Sequence, residues 1–187
     1  PISLKDSYGE VHIYMLPYIK PVHVRSIFPQ ENAESYTEAV RVAISHMDIQ
    51  EGERNILLTH QFVTGAVRSD SEDISVGGSD NVDVSVFDAF DYVALGHLHG
   101  PQNAGRENVR YCGTPLKYSF SEAGQCKSVT VLEMKEKGNL QIRIVELIPL
   151  HDLRELKGTY EELTDRKNYE GTKVDDYIHI ILTDEED

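Results

Sequence analysis

Cysteine is nearly absent from this 187-residue chain. Cys112 and Cys126 are the only two, and neither belongs to a CxxC pair. That excludes a disulfide framework and a thiolate metal site built on paired cysteines. It fits a reducing compartment better than secretion, so the cytoplasm is the expected location. No run approaches the ~18 consecutive apolar residues of a membrane span, and no basic segment followed by an apolar one opens the chain as a targeting signal would. Positive charge is also scarce: 18 Lys and Arg stand against 32 Asp and Glu, a formal net charge of −14. The chain has no basic stripe of the kind that tracks a nucleic-acid backbone. Charge taken alone therefore argues against DNA. Residues 151–187 carry 12 acidic and 5 basic side chains, half of the negative excess, and the terminal "TDEED" reads as a solvated end.

With 40% hydrophobic and 27% charged residues, the composition is that of a soluble globular protein able to bury a core. "VHIYMLPY" (11–18) reads as a strand with Val11, Ile13 and Met15 on one face, stopped by Pro17. The proline-containing stretch up to Pro29 reads as loop. From Ser35 the period changes: Tyr36, Ala39, Val40, Ala43, Ile44 and Met47 recur at helical spacing, opened by a Ser35-x-x-Glu38 capping box. "NILLTH" (55–60) is a short apolar run typical of a strand covered on both faces, and "YVAL" (92–95) is a second. Residues 64–81 are polar and rich in Gly and Ser, a long loop expected to be mobile. "VRYCGTP" reads as a strand entering a turn, and "KSVTVLEM" with "LQIRIVEL" as a hairpin across Gly138-Asn139. Pro149 closes this unit. A Thr159-x-x-Glu162 capping box and the strand "YIHIIL" then open a smaller αβ module. Strands alternating with a helix and followed by a hairpin predict a mixed α/β sandwich whose strands are too few to close it. The chain begins at Pro1 and stops just after "YIHIIL", so both ends read as cut.

Of eight histidines, His12, His23, His46, His151 and His179 read as surface or hydrogen-bonded structural residues. His60, His97 and His99 stand out by position, because each follows the end of a buried strand. Ligands gather at the carboxyl ends of strands in open α/β sheets. In "DYVALGHLHGPQ" (91–102), Gly96 lets the chain turn and Gly100 releases it. In extended backbone, His97 and His99 would project to the same side. Imidazole is a common metal ligand near neutral pH, although HxH spacing alone is only moderately specific.

"DYVALGHLHGPQ" followed by "VRYCGTPLKYSFSE" resembles the calcineurin-like metallophosphoesterases, and within them the branch of DNA-repair nuclease subunits. The resemblance covers most of the chain, including "VHIYMLPYIKP", "ILLTHQFV" and "HDLRELKGTYEEL". It implies a partial calcineurin-like β-sandwich flanked by helices over 1–149, the C-terminal half of a nuclease domain. Residues 150–187 would begin a small αβ DNA-facing cap. It further implies two Mn2+ ions, with His60 and His97 as ligands of one and His99 of the other. Two ions ~3.5–4 Å apart clamp the scissile phosphate and activate water in such sites. DNA would be the substrate, at double-strand ends and hairpins. An ATPase subunit and a homodimer would be engaged through regions outside this chain.

Three motifs of that family are missing: Asp-x-His, Gly-Asp with a bridging aspartate, and Gly-Asn-His with the general-acid histidine. No catalytic residue is therefore assigned. Two close divalent cations repel strongly without a bridging carboxylate, so these 187 residues alone are expected to hold a partial or empty site and to be inactive. The alternatives are a non-catalytic binding or scaffold module that kept the fold, and a phosphatase or cyclic-nucleotide phosphodiesterase of the same superfamily. Lys117, after the Gly-Thr-Pro turn, is a candidate for DNA phosphate set against a plain solvated lysine.

Overall fold

The computed structural model describes residues 1–67 and 80–185. In chain order the elements are β1 (Ile2–Asp6), β2 (Gly9–Leu16), α1 (Pro21–Ile27), α2 (Tyr36–Ser45), β3 (Arg54–Thr59), β4 (Phe62–Val63), β5 (Asn81–Val82), β6 (Tyr92–Leu95), β7 (Gln102–Ala104), β8 (Arg106–Tyr111), β9 (Ser128–Met134), β10 (Leu140–Glu146), β11 (Leu153–Gly158), α3 (Tyr160–Thr164), α4 (Arg166–Tyr169) and β12 (Tyr177–Leu182). Most of the loop expected over 64–81 lies outside the described residues.

A six-stranded sheet in the order β1-β2-β3-β6-β8-β7 organises the chain. Its four central strands are mutually parallel, and β1 and β7 are antiparallel edges. The register aligns Tyr14 with Leu57, Leu57 with Val93 and Val93 with Val109 across neighbouring strands. Tyr14, Leu57, Val93 and Val109 join Val40 and Ile44 of α2 in one buried cluster. Burying each such aliphatic side chain contributes ~1.5–3 kcal/mol. The α2 start is the expected capping box: Ser35 Oγ accepts from Glu38 N at 3.1 Å, and Glu38 Oε2 accepts from Ser35 N at 2.8 Å. The Ser35 N–H, and the Ser35 hydroxyl donating at 3.0 Å, hold the Glu38 carboxyl below the usual range.

Residues 21–27, expected as loop, form α1. Pro21 takes the first helical position, where its missing N–H costs nothing and its φ is already helical. Only Val24 of α1 is buried, against Ala33, Ala39 and Val42. One apolar contact in seven residues leaves no period to read.

The expectation that "NILLTH" is covered on both faces also needs correction. The helical face is sealed, but Leu58 is 42% exposed and its registered neighbour Met15 is 59% exposed. The hairpin β9-β10 meets β8 through Arg110 and Thr130, and it meets the sheet again at the amino end of β3. There Arg54 donates to the Met134 carbonyl at 3.1 Å, and Lys137 Nζ reaches Asp91 at 2.9 Å. Arg54 is 2% exposed and also grips Asp6 through two bonds of 2.6 and 3.0 Å. That pairing lowers the Asp6 carboxyl and raises the guanidinium.

Residues 153–182 form a parallel pair, β11 and β12, joined through α3 and α4, with Leu153 opposite Tyr177 and Gly158 opposite Leu182. The second capping box is present, Thr159 N donating to Glu162 Oε2 at 2.9 Å. Among the described residues no helix is long and apolar enough to cross a membrane.

Candidate metal centre

Because β2, β3, β6 and β8 run parallel, their carboxyl ends, Leu16, Thr59, Leu95 and Tyr111, lie along one edge. His60 leaves β3 there and the Gly96–His99 turn leaves β6. The ladder continues one step past β6, Gly96 N donating to the Thr59 carbonyl at 2.8 Å. A Cβ on Gly96 would stand 2.7 Å from His60 Nδ1. Glycine here lets the imidazole lie directly on the backbone. The His60 and His97 rings then meet edge to face with centroids 5.3 Å apart. Tyr18, just past β2, stacks alongside His97 at 6.4 Å.

His97 has φ +101°, the one positive φ at a non-glycine residue among the described residues. Such a backbone costs ~1–3 kcal/mol and persists only where its surroundings impose it. The next residue, Leu98, is 2% exposed and part of the main core. With Leu98 anchored inward, both flanking histidines are turned out of the core.

His99 sits in a different cradle. Its Nδ1 lies 3.0 Å from Oε1 of Glu122, a carboxylate with no exposed surface. The other oxygen, Oε2, is 2.6 Å from Lys127 Nζ, itself 4% exposed. Lys127 also donates to Gln125 Oε1 at 2.8 Å, and to Thr114 Oγ1 and the His99 carbonyl at 2.9 Å each. Thr114 N donates to that same carbonyl at 3.1 Å. Gly113, φ +80°, lies so close that a Cβ there would be 2.6 Å from the His99 oxygen. Ion pair, turn and glycine together fix His99 at both backbone and ring.

The three expected ligands are thus brought to one edge of the sheet, but not to one point. The strained φ at His97 breaks the extended backbone that would have aimed His97 and His99 to the same side. His97 meets His60 and Tyr18, whereas His99 meets Glu122 and Tyr118. Among the described residues the one trio of ligand atoms all within 4.8 Å of one another is Glu10, His12 and Glu53, near the opposite ends of β2 and β3. His12 there bonds Ser3 Oγ at 2.8 Å and contacts Glu53 Oε2, which agrees with a hydrogen-bonded structural histidine. As donors, three imidazoles suit a divalent cation of the first transition row. They bring no carboxylate of their own, since Glu122 is committed to Lys127.

Sequence reasoning missed Glu122 and Lys127. Glu122 is the last residue of "YCGTPLKYSFSE", so the signal was present, but nothing in the string assigns it to His99. Lys117 requires correction. Its ammonium donates to the Ala123 carbonyl at 2.7 Å, to Asp152 Oδ2 at 3.0 Å and to the Leu153 carbonyl at 3.3 Å. With its side chain 10% exposed, it is not a solvated surface lysine. It ties the start of β11 to the Gly-Thr-Pro turn.

The fold and site together define a mixed α/β protein with histidines gathered where its parallel strands end. No family model matches the chain. It is 33% identical over 186 residues, 98% of its own length, to SbcD, the D component of the nuclease SbcCD, from Staphylococcus epidermidis (strain ATCC 12228 / FDA PCI 1200). The chain spans 48% of that protein's length. The resemblance read from "GHLH" and "YCGTPLKYSF" is therefore borne out as an SbcD resemblance running along nearly the whole chain.

Proposed function

We propose that this chain is part of an SbcD-type, manganese-dependent DNA nuclease subunit that hydrolyses phosphodiesters at double-strand ends and hairpins in DNA repair and recombination. In this reading residues 1–149 belong to a calcineurin-like nuclease unit and 150–187 open its DNA-facing cap. Exonuclease and endonuclease activity, an SbcC-type ATPase partner, homodimer formation and a cytoplasmic location belong to the whole protein. The observation that carries the reading is the meeting of His60 and His97 at 5.3 Å, where two adjacent parallel strands end. The similarity over 98% of the chain to a nuclease component supports it.

His60 and His97 would hold one ion and His99 the other. The pair of ions supplies an activated water and charge stabilisation of the leaving oxygen. This chain's own part is to present three imidazole nitrogens from rigid strand ends, with Gly96 and Leu98 setting two of them and the Glu122 cradle the third. The bridging carboxylate and the general acid would come from polypeptide beyond these 187 residues, because Asp-x-His, Gly-Asp and Gly-Asn-His are not in this sequence.

Cleavage of linear and hairpin duplex DNA with MnCl2 tests the reading. The whole protein should cut, and His60→Ala or His97→Ala should abolish cutting. The 187-residue chain alone should not cut. Robust cleavage by the isolated chain would show that the site is misplaced. DNA binding without cleavage by the whole protein would favour the non-catalytic module.

A further inference from the structure

Glu122 is a buried carboxylate that is not among the expected metal ligands. A carboxylate with no exposed surface is costly unless its charge is matched, and Lys127 matches it at 2.6 Å. Lys127 bonds only one of its two oxygens. The other, Oε1, is aimed at His99 Nδ1.

An ionised carboxylate only accepts hydrogen bonds. At 3.0 Å from Oε1, Nδ1 must therefore be the nitrogen that carries the hydrogen. The neutral ring then bears its lone pair on Nε2. A ring held this way has both its tautomer and its rotation decided before any ligand arrives, and metal-bound histidines are commonly held by such a carboxylate. The backbone of His99 is gripped independently by Thr114 N and Lys127 Nζ, so what Glu122 adds at His99 is control of the ring.

We propose that Glu122 is the positioning residue of His99. Through Nδ1 it selects the Nδ1–H tautomer and presents Nε2 to a divalent cation, while Lys127 keeps the carboxylate in place. The cation half of this proposal rests on the function proposed above; the tautomer half does not.

The test uses two double variants of the whole protein to which this chain belongs, because removing one partner of a buried ion pair risks unfolding it. Glu122→Leu with Lys127→Met removes both charges together, a replacement that folds as well as the pair in other proteins, and deprives His99 of its acceptor. Glu122→Gln with Lys127→Met also removes both charges, but keeps an amide oxygen for Nδ1–H. Long-range 1H–15N NMR in alkaline buffer without metal reads the tautomer of His99. Far-UV circular dichroism verifies the fold, and MnCl2 is the metal probe.

The wild type and the glutamine variant should show Nδ1–H. The leucine variant should lose that preference and bind Mn2+ ~10–100-fold more weakly. A wild-type Nε2–H tautomer overturns the proposal, as does a leucine variant with tautomer and affinity unchanged. Expected tautomers with no Mn2+ broadening of His99 in the wild type would uphold the orienting role and sink the metal reading instead.

Discussion

Replacing Lys127 with methionine removes one cation from the most enclosed ion pair among the described residues. Lys127 is 4% exposed and Glu122 not at all. The ammonium serves four acceptors at 2.6 to 2.9 Å, and methionine serves none of them. A carboxylate is left in the interior with its charge uncompensated. Breaking a buried pair in this way costs ~3–5 kcal/mol, more than the pair itself contributes when both partners are present. For a chain of this size each kcal/mol moves the midpoint by ~2–4 °C, so Lys127→Met should melt about 6–20 °C lower. Urea unfolding read by far-UV circular dichroism is the suitable assay, since the sequence contains no tryptophan. Adding Glu122→Leu should restore most of the loss, because the stranded charge leaves with it. A single variant destabilised by less than about 1 kcal/mol, or a double variant no better than the single, would refute the claim that the pair is desolvated and coupled.

Three further outcomes follow from the geometry. Gly96→Ala puts a methyl 2.7 Å from His60 Nδ1, well inside the 3.4–4 Å of ordinary contact. The ring should swing away at a stability cost of about 1 kcal/mol or less, and NMR should show loss of the His60–His97 ring contact; its persistence counts against the packing described. Lys117→Met should loosen the attachment of β11, seen as faster amide exchange at 152–158 with the central sheet unchanged. Equal exchange in both proteins would mean the Asp152 and Leu153 contacts carry no stability. Acid should destabilise the chain through Asp6, whose carboxyl is held low chiefly by its bonds to Arg54. A group lowered on folding stabilises above its unfolded value of roughly 4 and loses that contribution as pH falls through the folded value. Asp6→Asn should flatten the acid limb of a stability-versus-pH curve, and an unchanged limb would exclude this pair as its source.

Much of the architecture was legible because its signals are local. The α2 capping box, the apolar runs of β2, β3 and β6, and the Gly138-Asn139 turn each lie within a dozen residues, and each forms as read. Helix α1 was not legible, because proline usually ends helices but here starts one, and one buried valine makes no pattern. Coverage of β3 was misjudged for another reason. An apolar run states what a strand can bury, not whether anything packs on it, and Leu58 and Met15 remain half exposed.

The candidate site divides in the same way. The residue order by itself determined that His60, His97 and His99 follow strand ends, that glycines flank the "GHLH" turn, and that three family motifs are absent. Only the tertiary structure decided how those histidines are used. Parallel pairing of β3 with β6 sets His60 against His97, and a positive φ at His97, beside the buried Leu98, splits His97 from His99. A lysine and a glutamate more than twenty residues downstream then close on His99. Hydrogen-bond partners and backbone strain depend on which distant segments share a desolvated volume, and that is a property of the folded chain.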